Sequence, residues 1–377
     1  MPNTEEMFAF RRTVREFSER ELAPNSRAWD EAGIFPKDLF KRFAALGFFG
    51  IHYPEEVGGS GLDFWYTAAY VEELAHARNA GVVMSMLVQS DMATPIINVI
   101  GTQQQKQEFL VPALQGERIA ALAITEPDAG SDVAALRTTA RQVGEDNVIN
   151  GAKTYITNGT RADFMTLAVR TGDEGYGGVS LLLFPTDTPG FSVSKSLEKL
   201  GNWSSDTGLI FFENCKVPKR YLLGEAGQGF YYIMTNFQGE RLVAALMATG
   251  AMQLMWQDAL HFADERQAFG QSISRFQVWR HRLVDLATQI EAAKQLTYAA
   301  VDKFNRGEQA VREISMAKLF ACELAQKVAY ECMQIYGGAG YMAEYDIARA
   351  YRDVRLWTIG GGSSEIMKEI IAKQVGL

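Results

Sequence analysis

The chain has 377 residues, is 47% hydrophobic and 22% charged, and carries a formal net charge of −8. That balance excludes a non-specific nucleic-acid binder, which needs clustered Lys and Arg to neutralise phosphates. The length allows a buried core without covalent staples. Cys215, Cys322 and Cys332, with His52, His76, His261 and His281, are scattered without paired-ligand spacing, so neither a disulfide framework nor a metal site is expected.

The first residues, Met1-Pro2-Asn3-Thr4-Glu5-Glu6, are acidic and lack the apolar core of a signal peptide. No stretch approaches the roughly 18 consecutive apolar residues of a membrane span, so a cytoplasmic protein is expected. Phe8, Arg11, Arg12, Val14, Arg15 and Phe17 open an amphipathic helix, and the same period recurs over 37–46. Further helices are expected over 67–77 and 82–100, with a Gly-rich loop at 54–61 between helices. Residues 1–118 therefore read as a helical domain.

Residues 119–229 change texture. Val148-Ile149-Asn150-Gly151 reads as a strand entering a turn, and a second strand, 153–157, ends on the turn dipeptide Asn158-Gly159. Short apolar strands follow at 164–169, 179–184, 191–193 and 209–212, which suggests a small sheet pair or barrel. From 230 to 377 the pattern is helical again, with long runs at 230–266, 275–306 and 311–336. No Pro follows Pro218 to interrupt them. The expected fold is α+β: helical domain, β domain, helical bundle.

Four segments could carry chemistry. Thr125-Glu126-Pro127-Asp128-Ala129-Gly130-Ser131-Asp132 is a loop whose amides and hydroxyls could meet a polar ligand, although its composition fits a plain turn. Tyr155 and Thr157 stand two apart on one strand face, offering a flat ring beside a hydrogen-bonding group. Glu240, within Gln238-Gly239-Glu240-Arg241-Leu242, shares a helical face with Phe237, Val243, Ala244 and Met247. An ionised carboxylate on an apolar stripe is costly unless paired. Desolvation would raise its pKa toward that of a working base, and a buried ion pair is the competing reading. Last, Ile359-Gly360-Gly361-Gly362-Ser363-Ser364-Glu365-Ile366 places glycines before a helix capped by Ser363 or Ser364, leaving free amides near its start. The run Gly338-Ala339-Gly340 fits a relaxed dinucleotide fingerprint, but helix rather than strand precedes it, so that reading is discarded.

Taken in order, these segments resemble the acyl-CoA dehydrogenase family over nearly the whole chain. Thr125–Asp132 resembles the family's flavin and substrate loop, and Tyr155-Ile156-Thr157-Asn158-Gly159 its second flavin motif. Arg266-Gln267-Ala268-Phe269-Gly270 is similar to its helix-end motif, residues 334–340 to its Gly-rich turn and residues 359–366 to its tail. The resemblance implies non-covalent FAD in a homotetramer built from dimers, an acyl-CoA substrate, an electron-transfer flavoprotein as acceptor, and a setting in fatty-acid β-oxidation. It places Leu122, Ile124, Thr125, Ser131, Tyr155 and Thr157 beside the isoalloxazine, with Gly130 shaping the loop. Arg266, Phe269, Gln334 and Gly338 would reach a flavin across the dimer interface, and Ser363 and Glu365 would touch it from the tail. Asp128, Tyr155 and Leu122 depart from the residues usual in the family.

Many relatives carry the base just before the Gly-Thr or Gly-Ser of the tail, where this chain has Gly361. The long-chain and isovaleryl types carry it on the long third-domain helix, where this chain has Glu240. The resemblance thus implies that Glu240 takes the α proton while flavin N5 accepts the β hydride. The thioester carbonyl would be held by a flavin ribityl hydroxyl and the Gly361 amide. Ser131 and Arg241 would stand on the substrate side, Arg241 as an electrostatic support. A flavin monooxygenase or oxidase on the same fold remains open. So does a non-catalytic acyl-CoA binder, although a carboxylate on an apolar face argues against the latter.

Overall fold

A computed structural model describes residue 2 and residues 4–377; Met1 and Asn3, part of the acidic N-terminal stretch, lie outside the described residues. The first helix, α1 (Glu5–Phe17), starts where Thr4 Oγ1 accepts from the Met7 amide at 3.2 Å, with Glu5 and Glu6 in the first turn facing the positive end of the helix dipole. Helices α2 (Ser26–Ala32), α3 (Leu39–Ala45) and α4 (Phe64–Glu73) follow. Arg15 of α1 donates to the buried Glu73 of α4 at 2.7 Å, so the polar edge of α1 is tied down as well as its apolar face. The domain continues through α5 (Ala80–Leu87), α6 (Pro95–Ile100), α7 (Gln103–Gln105) and α8 (Val111–Leu114).

Between α5 and α6 the chain stays helical through a π turn, Val88–Ala93. The resulting run Ala80–Ile100 is, by length and composition, apolar enough to cross a membrane, with a mean hydropathy of 1.3. Gln89, Ser90 and Asp91 interrupt it, so it is not a run of consecutive apolar residues. Within the fold, 83% of that window is buried, which makes it the core helix of the first domain.

The middle segment is one eight-stranded sheet rather than a sheet pair or barrel. Its strands are β1 (Ala120–Ala123), β2 (Thr139–Val143), β3 (Asp146–Thr157), β4 (Phe164–Arg170), β5 (Val179–Pro185), β6 (Phe191–Val193), β7 (Thr207–Pro218) and β8 (Leu222–Leu223). They run in the order β6-β7-β3-β2-β4-β5-β8, with β1 parallel to β4. Asn150-Gly151 is not a turn. It sits inside the twelve-residue β3, where the register against β7 slips between Ile149 and Gly151. Gly151 takes φ +148, a conformation available to glycine, so the dipeptide makes a bulge instead of a hairpin.

The last segment is a bundle. Its helix α9 (Gly229–Glu265) has 37 residues and no proline, and spans about 55 Å at 1.5 Å per residue. A short hairpin, β9 (Gln267–Ala268) with β10 (Gln271–Ser272), turns through Phe269 and Gly270. Helices α10 (Gln277–Asn305) and α11 (Val311–Tyr336) pack against α9, followed by α12 (Asp346–Asp353) and the C-terminal α13 (Ser364–Val375).

Candidate active site

Glu240 lies near the middle of α9, with Leu242 and Val243 on the next turn fully buried. Its Oε2 is shut off from solvent and has no hydrogen-bond partner among the described residues. Burial pushes the carboxyl up from 4.5 to about 7, against the opposing pull of the Arg241 and Lys318 cations. The buried-ion-pair reading therefore fails on geometry, because both cations are committed elsewhere. Arg241 Nε donates to the Gly361 carbonyl at 3.2 Å, and Lys318 Nζ donates to the Gly362 carbonyl at 2.5 Å.

These two bonds bring together residues far apart in sequence. They fix the glycine tail against α9, with Gly361 at φ +66. A Cβ placed on Gly361 would lie 3.4 Å from Glu240 Oε1, so the bare backbone of Gly361 faces the carboxylate. Among the described residues, the Gly361 amide donates to no acceptor in the chain and remains available to a ligand. Beyond it, Ser363 Oγ accepts from the Ile366 amide at 3.4 Å and caps α13, while Ser364 is buried and donates to Glu323. Ser363 is thus the cap, and Glu365 is exposed in the first turn.

The Thr125–Asp132 loop and the Tyr155 strand meet directly, through the Thr154 amide donating to the Thr125 carbonyl at 2.9 Å. Beneath them runs a brace that the sequence reading missed. Lys153, 0% exposed, donates to Glu126 at 2.7 Å and to the Ile124 carbonyl at 2.8 Å. Glu126 also accepts from the Arg137 and Thr138 amides, at 2.6 and 2.9 Å. Burial alone would neutralise Glu126, but Lys153 and these donors hold it below the usual carboxylate range; burial also lowers Lys153 to about 8. Glu126 is therefore structural, and Gly130 and Ser131 belong to the loop's exposed part, with Pro127, Asp128 and Asp132.

With that brace in place, Tyr155 is 69% exposed at φ +60, where β3 slips register again between Lys153 and Ile156. Leu122 is half-buried on β1, Ile124 is buried and Thr125 and Thr157 are half-buried. This is an apolar floor with hydroxyls and an exposed aromatic ring at its rim, a surface that fits a flat heteroaromatic group.

The two half-sites are joined by the π turn. Gln89 Oε1 accepts from the Ala120 amide of β1 at 2.7 Å, and the Met92 carbonyl accepts from Asn236 Nδ2 of α9 at 2.9 Å, one turn before Glu240. The remaining expected residues sit apart from Glu240, at the surface. Phe269 is 97% exposed at the hairpin tip, Arg266 and Gln334 are exposed, and a Cβ on Gly338 would meet nothing within 4 Å. Lys318 is the other functional residue missed. Its signal was a lysine on the α11 stripe of Ile314, Ala321, Cys322 and Ala325, all buried.

Models of the acyl-CoA dehydrogenase N-terminal, middle and C-terminal domains match residues 4–117, 121–215 and 227–376. The chain is 37% identical to the mitochondrial long-chain specific acyl-CoA dehydrogenase of Mus musculus, over 97% of this chain and 85% of that protein. It is 38% identical to the benzylmalonyl-CoA dehydrogenase of Aromatoleum aromaticum, over 99% and 98%. Among solved structures, it resembles a probable acyl-CoA dehydrogenase of Mycobacterium abscessus with a TM-score of 0.97 at 43% identity, covering 99% of this chain and 100% of that one. The butyryl-CoA dehydrogenase of Megasphaera elsdenii aligns with a TM-score of 0.96 at 32% identity, with complete coverage of both chains.

Proposed function

Because the chain belongs to the acyl-CoA dehydrogenase family, an FAD-dependent enzyme that dehydrogenates acyl-CoA thioesters, we propose that Glu240 is its catalytic base. The observation that carries this is the Glu240 carboxyl, whose Oε2 is unpartnered and whose Oε1 faces the bare backbone of Gly361. A base must be free to accept a proton and have a pKa near the working pH, and burial supplies both conditions here. Gly361 leaves room for the α carbon, and its free amide polarises the thioester carbonyl, which acidifies that carbon. Arg241 and Lys318 hold the Gly361 and Gly362 carbonyls, in the two peptides that follow the donor amide, and so fix the turn from which the Gly361 amide points. Bound FAD supplies the acceptor for the β hydride.

The cofactor would rest on Leu122, Ile124, Thr125, Tyr155 and Thr157, with Ser131 at the loop edge and Ser363 and Glu365 at the tail. In the proposed homotetramer, Arg266, Phe269, Gln334 and Gly338 complete the neighbouring subunit's site. What supports this is a wholly exposed aromatic ring at a hairpin tip, costly in a lone chain. An electron-transfer flavoprotein is the proposed acceptor, and fatty acyl groups of β-oxidation are the proposed substrates. Anaerobic titration of the purified yellow protein with saturated acyl-CoAs tests the reading. Bleaching of the flavin absorbance is expected, and flavin left oxidised by every thioester would overturn it. Rapid reoxidation of the reduced protein by O2 would instead favour an oxidase.

A further inference from the structure

The tail that carries the Gly361 amide belongs to the last domain, and the surface proposed for the flavin belongs to the middle one. The reaction therefore depends on how the two are held together. Within the last domain the tail is fixed by Arg241 and Lys318, and by Gln326 Nε2 donating to the Val354 carbonyl at 2.5 Å. Among the described residues, the hydrogen bonds from residues 353–363 to the middle domain are both made by Asn202. Its amide donates to Asp353 Oδ1 at 2.6 Å, and its Nδ2 donates to the Asp353 carbonyl at 3.3 Å. Asp353 closes α12 and starts the run that leads to Gly361.

Asn202 lies on the connection between β6 and β7, whose residues Gly201, Asn202, Ser204, Ser205 and Asp206 are buried. A Cβ on Gly201 would lie 2.7 Å from Asp353 Oδ1 and 2.8 Å from the Arg352 carbonyl oxygen. On the other side, a Cβ on Gly81 of α5 would lie 2.4 Å from Ser204 Oγ. Neither approach leaves room for a side chain. Ser204 Oγ donates to Asn79 Oδ1 at 2.5 Å, and Arg352 stacks on Trp203 at 3.5 Å while pairing with Asp30 of α2 at 3.0 Å. The connection then runs into the end of β3. Asp206 Oδ2 accepts from the Thr160 amide at 2.8 Å, the Asp206 carbonyl accepts from the Asn158 amide at 3.3 Å, and Thr207 is the ladder partner of Thr157.

We propose that Asn202 and Asp353 are positioning residues, and that their joint sets where the Gly361 amide stands relative to the flavin surface on β3. This rests on Gly361 being the donor to the thioester carbonyl. Burial pushes the Asp353 carboxyl up to about 7, against the Asn202 amide and the Arg352 and Arg349 cations, with Asp30 adding to the rise. An uncharged Asn can therefore stand in its place and still accept from the Asn202 amide.

Two readouts on the FAD-loaded enzyme test it. One is the rate of flavin reduction by a saturated acyl-CoA. The other is the infrared carbonyl stretch of a bound enoyl-CoA, isotope-labelled at the carbonyl carbon, which falls in frequency when a donor polarises that carbonyl. A misplacement of about 1 Å costs about 10²-fold, so Gly201→Ala and Asp353→Ala should slow reduction about 10- to 10²-fold with KM changed less than about threefold. Both should also return the carbonyl stretch toward that of the free thioester, while Asp353→Asn keeps rate and stretch near wild type. Asn202→Gly suits φ +51 and removes only the Nδ2 bond, so it should fall between, and it carries the comparison where a harsher variant does not fold. A wild type that leaves the carbonyl stretch unshifted would overturn the reading of Gly361 and this inference with it. A wild-type shift that the variants keep, whether or not they are slow, would overturn the joint alone. So would Asp353→Asn behaving like Asp353→Ala.

Discussion

Replacing Glu240 by Gln tests burial and catalysis in one variant. Gln keeps the shape of the side chain and removes both the charge and the proton-accepting oxygen. Loss of a positioned base costs about 10²–10⁴-fold in rate, so reduction of bound flavin by a saturated acyl-CoA should slow by that factor while the protein stays yellow. Stability should move the other way. Folding raises the carboxyl from 4.5 to about 7, so the protonated form is the one the fold favours. Its contribution is fully present below pH 4.5 and is lost as pH rises through 7. At about 1.36 kcal/mol per pH decade, that interval amounts to a strain on the order of 3 kcal/mol at pH 8, which the neutral Gln relieves. Thermal unfolding at pH 4.5 and pH 8 reads the difference, with Glu240→Gln gaining on the wild type only at the higher pH. A variant that reduces flavin at the wild-type rate, or that is less stable than wild type at pH 8, would refute the reasoning.

In the wild type, the rate of flavin reduction should climb as Glu240 ionises, with its midpoint near pH 7. Lys318→Met removes a nearby cation and should move that midpoint upward in a stopped-flow pH profile, besides leaving the Gly362 carbonyl unpaired. Gly361→Ala should lower both the rate and the melting temperature, because φ +66 disfavours a side chain and the new methyl would lie 3.4 Å from Glu240 Oε1. Lys153→Met leaves the buried Glu126 with the Arg137 and Thr138 amides but no cation, at a cost of up to about 3–5 kcal/mol. Its readout is weakened FAD retention on gel filtration, since the Thr125 loop loses its brace.

Periodicity located the long helices because nothing in them competes with it: α9 runs unbroken where apolar residues recur and proline is absent. The same local reasoning failed at Asn150-Gly151. A bulge and a hairpin turn ask for the same dipeptide, and only the pairing of β3 with the distant β7 decides between them. Lys153 was invisible for a related reason. A lysine in a strand normally points to water, and its burial depends on Glu126, which sequence order places in a loop. The flavin-side residues were reached through resemblance, since each motif alone fits an ordinary turn or strand.

Glu240 is the instructive case, because its two readings differ by a fact that no local pattern holds. On the helix wheel, a carboxylate on an apolar face is equally a base or half of an ion pair. The choice turns on where Arg241 and Lys318 point, and both point to carbonyls of the glycine tail, 120 and 44 residues further along the chain. Had either cation reached Glu240 instead, the carboxyl would have been held ionised and occupied, unfit to take a proton from carbon. The glycines supply the alternative acceptors. Gly361 and Gly362, at φ +66 and +106, adopt backbone conformations that a side chain would resist, and so present two successive carbonyls to two cations. The glycine that lacks a carboxylate of its own thus helps to keep the one on α9 free.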